Sequence, residues 1–231
     1  MFPNLNVMWT RWSEYTIVKD HGETEYLVPA PDAVALTYDC AQQPETLVAD
    51  ALELGRQLLE GASEKTGLCA GFAVRHGLLG LAAETAAACS EHPGLSPCFR
   101  PLNSRDYGED IGLFQADFMR LYQHFEITRD EVPVSRECSK VMELSGLLNY
   151  RLTGGRTPQL VWEMRSMRSV IRLAYAALVS GPVVPLRRCK NCGKVYYNSH
   201  AKSEFCGTKC RNYYNVKVFR EKGRGMSGSG I

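Results

Sequence analysis

Four cysteines near the C-terminal end constrain this chain more than any other feature. They form two close pairs, Cys189 with Cys192 and Cys206 with Cys210, and thirteen residues separate the pairs. Each short loop directs two sulfurs to one point, so the two loops together supply the ligands of one tetrahedral Zn²⁺. Gly193 follows the first pair, and a residue free to adopt positive φ lets backbone N–H groups turn toward the sulfurs. The spacing predicts a structural Cys₄ zinc site.

Other interpretations of these cysteines stay open. Four thiols without a metal would leave the close pairing and the polar sequence around it unexplained. A disulfide framework fits poorly with an odd total of nine cysteines, which is typical of reduced cytoplasmic thiols. His200 lies between the pairs and could compete as a ligand, but four cysteines already close the site, so we interpret it as a turn residue.

The sequence also predicts a soluble cytoplasmic protein. Residues 1–20 lack a basic segment followed by an apolar one, so we expect no signal peptide. The most apolar helical segments are interrupted by charged side chains such as Arg75 and Arg168, so we expect no membrane span.

Charge is distributed unevenly along the chain. Residues 186–231 hold 11 Lys and Arg against two Glu, a net charge of +9, while residues 1–185 carry a net charge of −7. This asymmetry indicates a basic end that meets a polyanion and an acidic body with another task. The Gly and Pro residues around position 182 predict the boundary between them. We expect a mostly helical sensing or dimerisation body at 1–180, a linker at 181–185, a Cys₄ zinc finger at 186–224 and a flexible tail at 225–231.

The expected fold class is mainly α with a short N-terminal β-hairpin region and a small C-terminal treble-clef-like zinc finger, made of a β-hairpin plus a helix. Strands over residues 7–12 and 15–18 are expected to pair with residues 24–28, and residues 33–38 add another strand. Apolar periodicity predicts helices over residues 44–60, 66–89, 111–125, 134–152 and 158–179. In the finger, residues 194–197 begin a hairpin, residues 203–205 return toward Cys206, and a helix starts there.

The C-terminal pattern resembles a known family. Cys189-x₂-Cys192-Gly, an aromatic hairpin, and Phe205-Cys206-x₃-Cys210-Arg-Asn before a basic helix are similar to the CGNR zinc-finger proteins of bacteria. The resemblance covers about residues 186–224 and implies a helical N-terminal domain, a C-terminal zinc finger and a role as a stress-induced transcription regulator. The motif that names the family reads Cys-Arg-Asn-Tyr at positions 210–213. Its Gly and Arg are therefore not in place, although Asn212 keeps its position.

Residue types on the last helix predict contact with nucleic acid. Arg and Asn read the edges of guanine and adenine, and Lys neutralises phosphate. Tyrosines of the finger could stack on unpaired bases, or they and Phe219 could form its small core with the basic residues as a solvated face. The predicted contact residues are Arg211, Asn215, Lys217, Arg220 and Lys222.

Little in the sequence points to catalysis. We find none of the nucleotide-binding, metalloprotease or serine-hydrolase motifs, and a closed Cys₄ site has no open coordination position. Cys89, His92 and Cys98 are interpreted as a loop rather than a second metal site. We expect Arg165, Arg168 and Arg172 to pair with acidic residues, and we interpret Asp106, Glu109 and Asp110 as a solvated loop.

We therefore expect a zinc-binding, non-enzymatic transcription regulator that binds DNA through the finger. The alternatives are a protein-interaction module with a purely structural zinc and an RNA-binding factor. A small-molecule effector on the helical body and a homodimer are further expected partners, and no membrane is expected.

Overall fold

The computed structural model contains helices and small antiparallel sheets in the part of the chain that it describes. The described residues are 7–19, 23–81, 104–128, 142, 144, 149–156, 158–199 and 203–226. They form five helices, α1 (Pro44–Leu59), α2 (Lys65–His76), α3 (Ile111–Thr128), α4 (Met167–Val179) and α5 (Thr208–Met226). Their strands are β1 (Met8–Trp12), β2 (Tyr15–Lys19), β3 (Glu25–Pro29), β4 (Ala35–Asp39), β5 (Glu109–Asp110), β6 (Asn149–Thr153), β7 (Gln159–Glu163), β8 (Leu186–Arg188) and β9 (Val195–Tyr197). None of the helices in this described part combines the length and the hydropathy that crossing a bilayer requires.

The N-terminal strands belong to two different sheets. β2 pairs antiparallel with β3, Tyr15 lying opposite Pro29, as the sequence predicts. β1 pairs instead with β4, Trp9 lying opposite Tyr38, so the expected pairing of the first strand with the third is wrong. The buried Trp9 holds β1 in this position, because its Nε1 donates to the carbonyl of Leu78 at 2.9 Å.

Helix α2 is shorter than the expected helix over residues 66–89. It ends at His76, and the φ of +92° at the following Gly77 interrupts the helical path. A Cβ at this position would lie 2.7 Å from the carbonyl oxygen of Thr10, so the turn also requires a residue without a side chain. Apolar periodicity continues past Gly77 in the sequence, and this continuity is why the pattern alone predicted a longer helix. Residues 82–103 lie outside the described part.

The backbone amides of the residues that follow α2 donate hydrogen bonds to a buried carboxylate. Glu109 is 1% exposed and accepts hydrogen bonds from the backbone N–H groups of Leu79 and Leu81, both at 2.9 Å, and from that of Gly80. The Tyr107 hydroxyl donates to it at 2.7 Å. Burial raises the pKa of Glu109, and these four donors oppose the shift by stabilising the charged form. The expectation of a solvated acidic loop is therefore wrong for Glu109.

Two of the predicted helices contain strands instead. The described end of the predicted helix over residues 134–152 lies in β6, which pairs with β7 in an antiparallel hairpin. The predicted helix over residues 158–179 also begins in β7, and only its second part is helical. Ser166 explains the late start of α4, since its hydroxyl caps the helix by accepting from the Ser169 N–H at 3.0 Å. Residues 129–141, 143 and 145–148 lie outside the described part.

Helix α1 is the central element of the core. It begins with Pro44 in its first turn, as the sequence predicts, and its apolar face packs on α3 and α4. Gly55 allows a close crossing with α3, because a Cβ there would overlap the carbonyl oxygen of Phe118 and would lie 2.8 Å from the Cβ of Tyr122. Aromatic rings of Phe72, Phe114 and Phe118 fill the space beside this crossing.

The close crossing predicts opposite effects for two glycine substitutions. Gly55→Ala should lower the free energy of unfolding by about 1–3 kcal/mol, because the new methyl group forces α1 and α3 apart. Gly71→Ala on α2 is the matched control, because a Cβ there meets nothing within 4 Å. It should raise stability by up to about 1 kcal/mol through helix propensity. Urea titrations of both variants test this, and a stabilising Gly55→Ala would contradict the packing.

Candidate metal centre and the helix that follows it

The two predicted cysteine pairs come together in one cluster. The sulfurs of Cys189, Cys192, Cys206 and Cys210 all lie within 4.8 Å of one another. Cys206 Sγ is 3.7 Å from Cys192 Sγ and 3.5 Å from Cys210 Sγ. A tetrahedral site with metal–sulfur bonds of about 2.3 Å requires sulfur–sulfur separations of about 3.8 Å. The four side chains are thus arranged so that they could hold one metal ion.

A short hairpin presents the first cysteine pair. β8 and β9 pair antiparallel, with Arg188 opposite Val195, and the loop between them carries Cys189 and Cys192. The Cys189 N–H donates to the Lys194 carbonyl at 2.9 Å, and the Gly193 N–H returns to the Cys189 carbonyl at 2.8 Å. Gly193 has a φ of +73°, which is the conformation that the sequence predicts for it.

The second pair lies at the start of α5. Cys206 precedes the helix and Cys210 lies in its first turn, so the positive end of the helix dipole faces the sulfurs. The hairpin differs from the expected one, because β9 pairs with β8 across the first loop rather than with residues 203–205. Those residues instead contact the hairpin through two hydrogen bonds, from Lys190 N–H to the Glu204 carbonyl and from the Tyr196 hydroxyl to the Ser203 carbonyl, both 3.0 Å long.

The thiols of the cluster differ in acidity. Burial by itself raises the pKa of Cys189, but backbone N–H groups of Cys206, Cys192 and Asn191 bring it down to about 6. Burial and hydrogen bonds with neighbouring thiols raise the pKa values of Cys192 and Cys206. Cys189 is therefore the first of these three to ionise, and a bound cation would supply the positive charge that the remaining thiolates need.

A buried carboxylate of α1 anchors the hairpin to the core. The Val195 N–H donates to Glu53 Oε2 at 2.8 Å, and the Arg56 guanidinium holds the same carboxylate through two hydrogen bonds of 2.9 and 2.7 Å. Val195 and Leu186 themselves belong to the main hydrophobic core. Arg188 adds an ion pair of 3.3 Å to Glu126 on α3. The loop with the first two cysteines is thereby fixed on α1 and α3.

Most of α5 is exposed to solvent. Its half-buried residues up to position 221 are Cys210, Tyr214 and Val218, which follow one another at helical spacing and form one inward stripe. The ring of Tyr214 packs on Phe205, with centroids 5.2 Å apart. The predicted contact residues with described side chains, Arg211, Asn215, Lys217 and Arg220, are all exposed. Lys222 lies on the same helix, but its side chain is outside the described part.

Exposure also decides whether the aromatic residues form a core within the finger. Tyr213 is 71% exposed and Phe219 is 79% exposed. The interpretation of these two side chains as core residues is therefore wrong, whereas the half-buried Tyr214 and Tyr196 do pack within the module.

The surface has one groove beside the cysteine cluster and another on the body. An open groove of about 490 Å³ beside the first cysteine pair is lined by Arg187 and Lys190, among others. Within the described residues the buried Nε of Arg187 has no hydrogen-bond partner. A groove of about 240 Å³ on the body is lined by Arg11, Arg75 and His76. Arg75 and His76 bind Asp50, and the Arg11 guanidinium donates to the Arg75 carbonyl, so these cations already have protein partners.

The remaining candidate residues have different outcomes. Arg168 and Arg172 both bind Asp117 on α3, at 2.8 and 2.6 Å, which confirms the acidic partner expected for them. Arg165 precedes α4 and is exposed. His200, together with Cys89, His92 and Cys98, lies outside the described part.

Comparisons with known proteins do not identify the chain. No protein-family model matches it, and searches of curated proteins and of solved structures give no significant match. The resemblance to the CGNR zinc-finger family, the division into domains and the effector and homodimer partners therefore stay predictions.

The anchoring contact predicts a measurable role for Glu53. Glu53→Gln keeps the size of the side chain and removes its charge beside Arg56, so the free energy of unfolding should fall by about 1–3 kcal/mol. Glu14→Gln is the matched control, because Glu14 is exposed, and it should change stability by less than about 0.5 kcal/mol. Equal unfolding curves for the two variants would contradict the anchoring role.

Proposed function

We propose that the protein is a DNA-binding transcription regulator whose C-terminal module is a treble-clef-like zinc finger. The observation that carries the proposal is the exposed basic helix α5, which begins directly at the second cysteine pair. Four cysteine sulfurs are soft ligands that select Zn²⁺ among the available divalent cations. A metal there would fix the first turn of α5 to the hairpin and leave the rest of the helix free to contact a partner.

Charge supports a polyanionic partner. With four thiolates and one divalent cation, residues 186–231 would keep a net charge near +7, from the +9 carried by their Lys, Arg and Glu residues. On α5 itself, Arg211 and Asn215 lie on one side of the inward stripe and Lys217 lies on its other side, at roughly 100° per residue. Arg211 and Asn215 have the side chains that read base edges, while Lys217 and Arg220 have those that neutralise phosphates.

The proposed metal predicts a stoichiometry. Purified protein should contain one zinc per chain, and Cys192→Ser or Cys206→Ser should release it, because metal binding and local folding are coupled in so small a module. Cys40→Ala is the control, since Cys40 is a buried cysteine outside the cluster, and it should keep its zinc. Elemental analysis of protein purified under reducing conditions measures the result, and full zinc content in both serine variants would overturn the ligand assignment.

The proposed DNA contact predicts a split between two groups of variants. Full-length, zinc-loaded protein should bind duplex DNA with an affinity that falls steeply with salt, because each neutralised phosphate releases counterions. Lys217→Ala and Arg220→Ala should weaken binding to all sequences alike. Arg211→Ala and Asn215→Ala should reduce the binding free energy by about 1–3 kcal/mol for a duplex selected from a random pool, and by less for random DNA.

Fluorescence anisotropy at two salt concentrations measures both effects on the whole chain, which is the appropriate form because β8 and β9 pack on the body. Zinc-loaded protein without salt-sensitive binding to any duplex would contradict the proposal and favour a protein-interaction module. Tighter binding to RNA would favour an RNA-binding factor.

A further inference from the structure

The outward face of α5 carries a stripe of apolar and aromatic side chains. Tyr213, Val216 and Phe219 are 71%, 47% and 79% exposed, and they follow one another at steps of three residues along the helix. At roughly 100° per residue they lie on the side of α5 opposite the inward stripe of Cys210, Tyr214 and Val218. Contacts within the described residues therefore do not explain why Tyr213 and Phe219, two large aromatic side chains, are exposed to water.

Basic side chains share this outward face. Lys209, Tyr213, Val216 and Arg220 fall within roughly 60° of one another when projected down the helix axis, and Lys209 and Arg220 are exposed. Residues 208–221 carry four Lys and Arg against one Glu. Aromatic rings interleaved with cations are the arrangement that holds single-stranded nucleic acid, because bases stack on the rings while the cations follow the phosphates.

We propose that this outward stripe, defined as Tyr213, Val216 and Phe219, binds a stretch of DNA with unpaired bases, Tyr213 and Phe219 each stacking on one base. The inference rests on the proposed function and specifies its target. In an intact duplex the bases are stacked on one another, and a protein ring reaches a base face only after a base step is unstacked, which costs about a few kcal/mol. Tyr213 and Phe219 are about 9 Å apart along the helix axis, at 1.5 Å per residue, which leaves room for separate bases.

Charge disfavours a second α5 as the occupant of the stripe. Two copies of this helix would bring like charges of Lys209 and Arg220 together around the apolar residues, and like charges in contact are destabilising. The same residues are complementary to the phosphates of a DNA strand. The stripe thus matches a polyanion with free aromatic faces better than it matches another copy of itself.

The test uses full-length, zinc-loaded protein and one labelled DNA sequence in three forms. These are a perfect duplex, the same duplex with a short central run of mismatches, and the single strand. The protein should bind the mismatched duplex and the single strand at least about five-fold more tightly than the perfect duplex. This is the gain expected when an unpaired base stacks on an aromatic side chain. Phe219→Ala and Tyr213→Ala should each lower this preference, because each removes one of the two stacking rings, while zinc content and helical circular dichroism stay unchanged.

Phe219→Leu is the matched control that distinguishes aromatic stacking from apolar contact. It keeps an apolar side chain and removes the aromatic face, so the preference for unpaired bases should fall as far as in Phe219→Ala. Retention of the preference in Phe219→Leu, equal binding of the three DNA forms by the unmodified protein, or tighter binding to RNA of the same sequence would each overturn the inference. A change from dimer to monomer in Phe219→Ala, measured by sedimentation, would overturn it too.

The failure of this inference and that of the proposed function give different results. Salt-sensitive binding to the perfect duplex without preference for unpaired bases removes the stacking role and leaves the DNA-binding regulator standing. The absence of binding to all three DNA forms removes both.

Discussion

The buried carboxylate of Glu53 joins the cysteine-bearing hairpin to helix α1 of the body. It accepts a hydrogen bond from the Val195 N–H on the cysteine-bearing hairpin and holds Arg56 on its own helix. A charged group with this little exposure is stable only if its partners are complete, because removal of one partner leaves an uncompensated charge in a medium of low dielectric constant. The pairing raises the pKa of Arg56, which keeps the guanidinium charged.

This contact, together with the burial of Leu186 and Val195 in the main hydrophobic core, fixes the cysteine-bearing hairpin on the body. α1 contacts α3 across Gly55 on one side and carries Glu53 toward the hairpin on another. The hairpin therefore contacts the core through buried apolar side chains, the hydrogen bond to Glu53 and the ion pair of Arg188 with Glu126, and α5 begins at a cluster that these contacts hold in place. The position of the cluster also determines which side of α5 is exposed to solvent. Among the described side chains of α5, only Cys210, Tyr214 and Val218 are half-buried, and the others are exposed.

Local chemistry was enough to predict part of this structure. Pro44 and the apolar periodicity behind it predicted α1, and the cysteine spacing with Gly193 predicted four sulfurs that come together. These features depend on residues close in sequence, where capping, turn preference and ligand spacing decide the outcome. The exposure of Arg211 and Asn215 was likewise consistent with a polar surface helix.

The features that sequence patterns missed depend on distant residues. Glu53 and Val195 are 142 positions apart, and nothing in either segment indicates that one binds the other. The segment after α2 likewise has a distant partner, because the carboxylate of Glu109 accepts hydrogen bonds from the amides of Leu79 and Leu81. The β6–β7 hairpin replaced a helical prediction because short apolar runs fit either conformation, and only the pairing partner decides between them.

X-ray absorption at the zinc edge of the purified full-length protein tests the central claim most directly, because it reports the atoms bound to the metal. The account predicts a first shell of four sulfurs at about 2.3 Å from zinc. A shell that contains nitrogen or oxygen at about 2.0–2.1 Å would assign a ligand outside the four cysteines. That result, or a folded protein without zinc, would contradict the metal centre from which α5 is positioned.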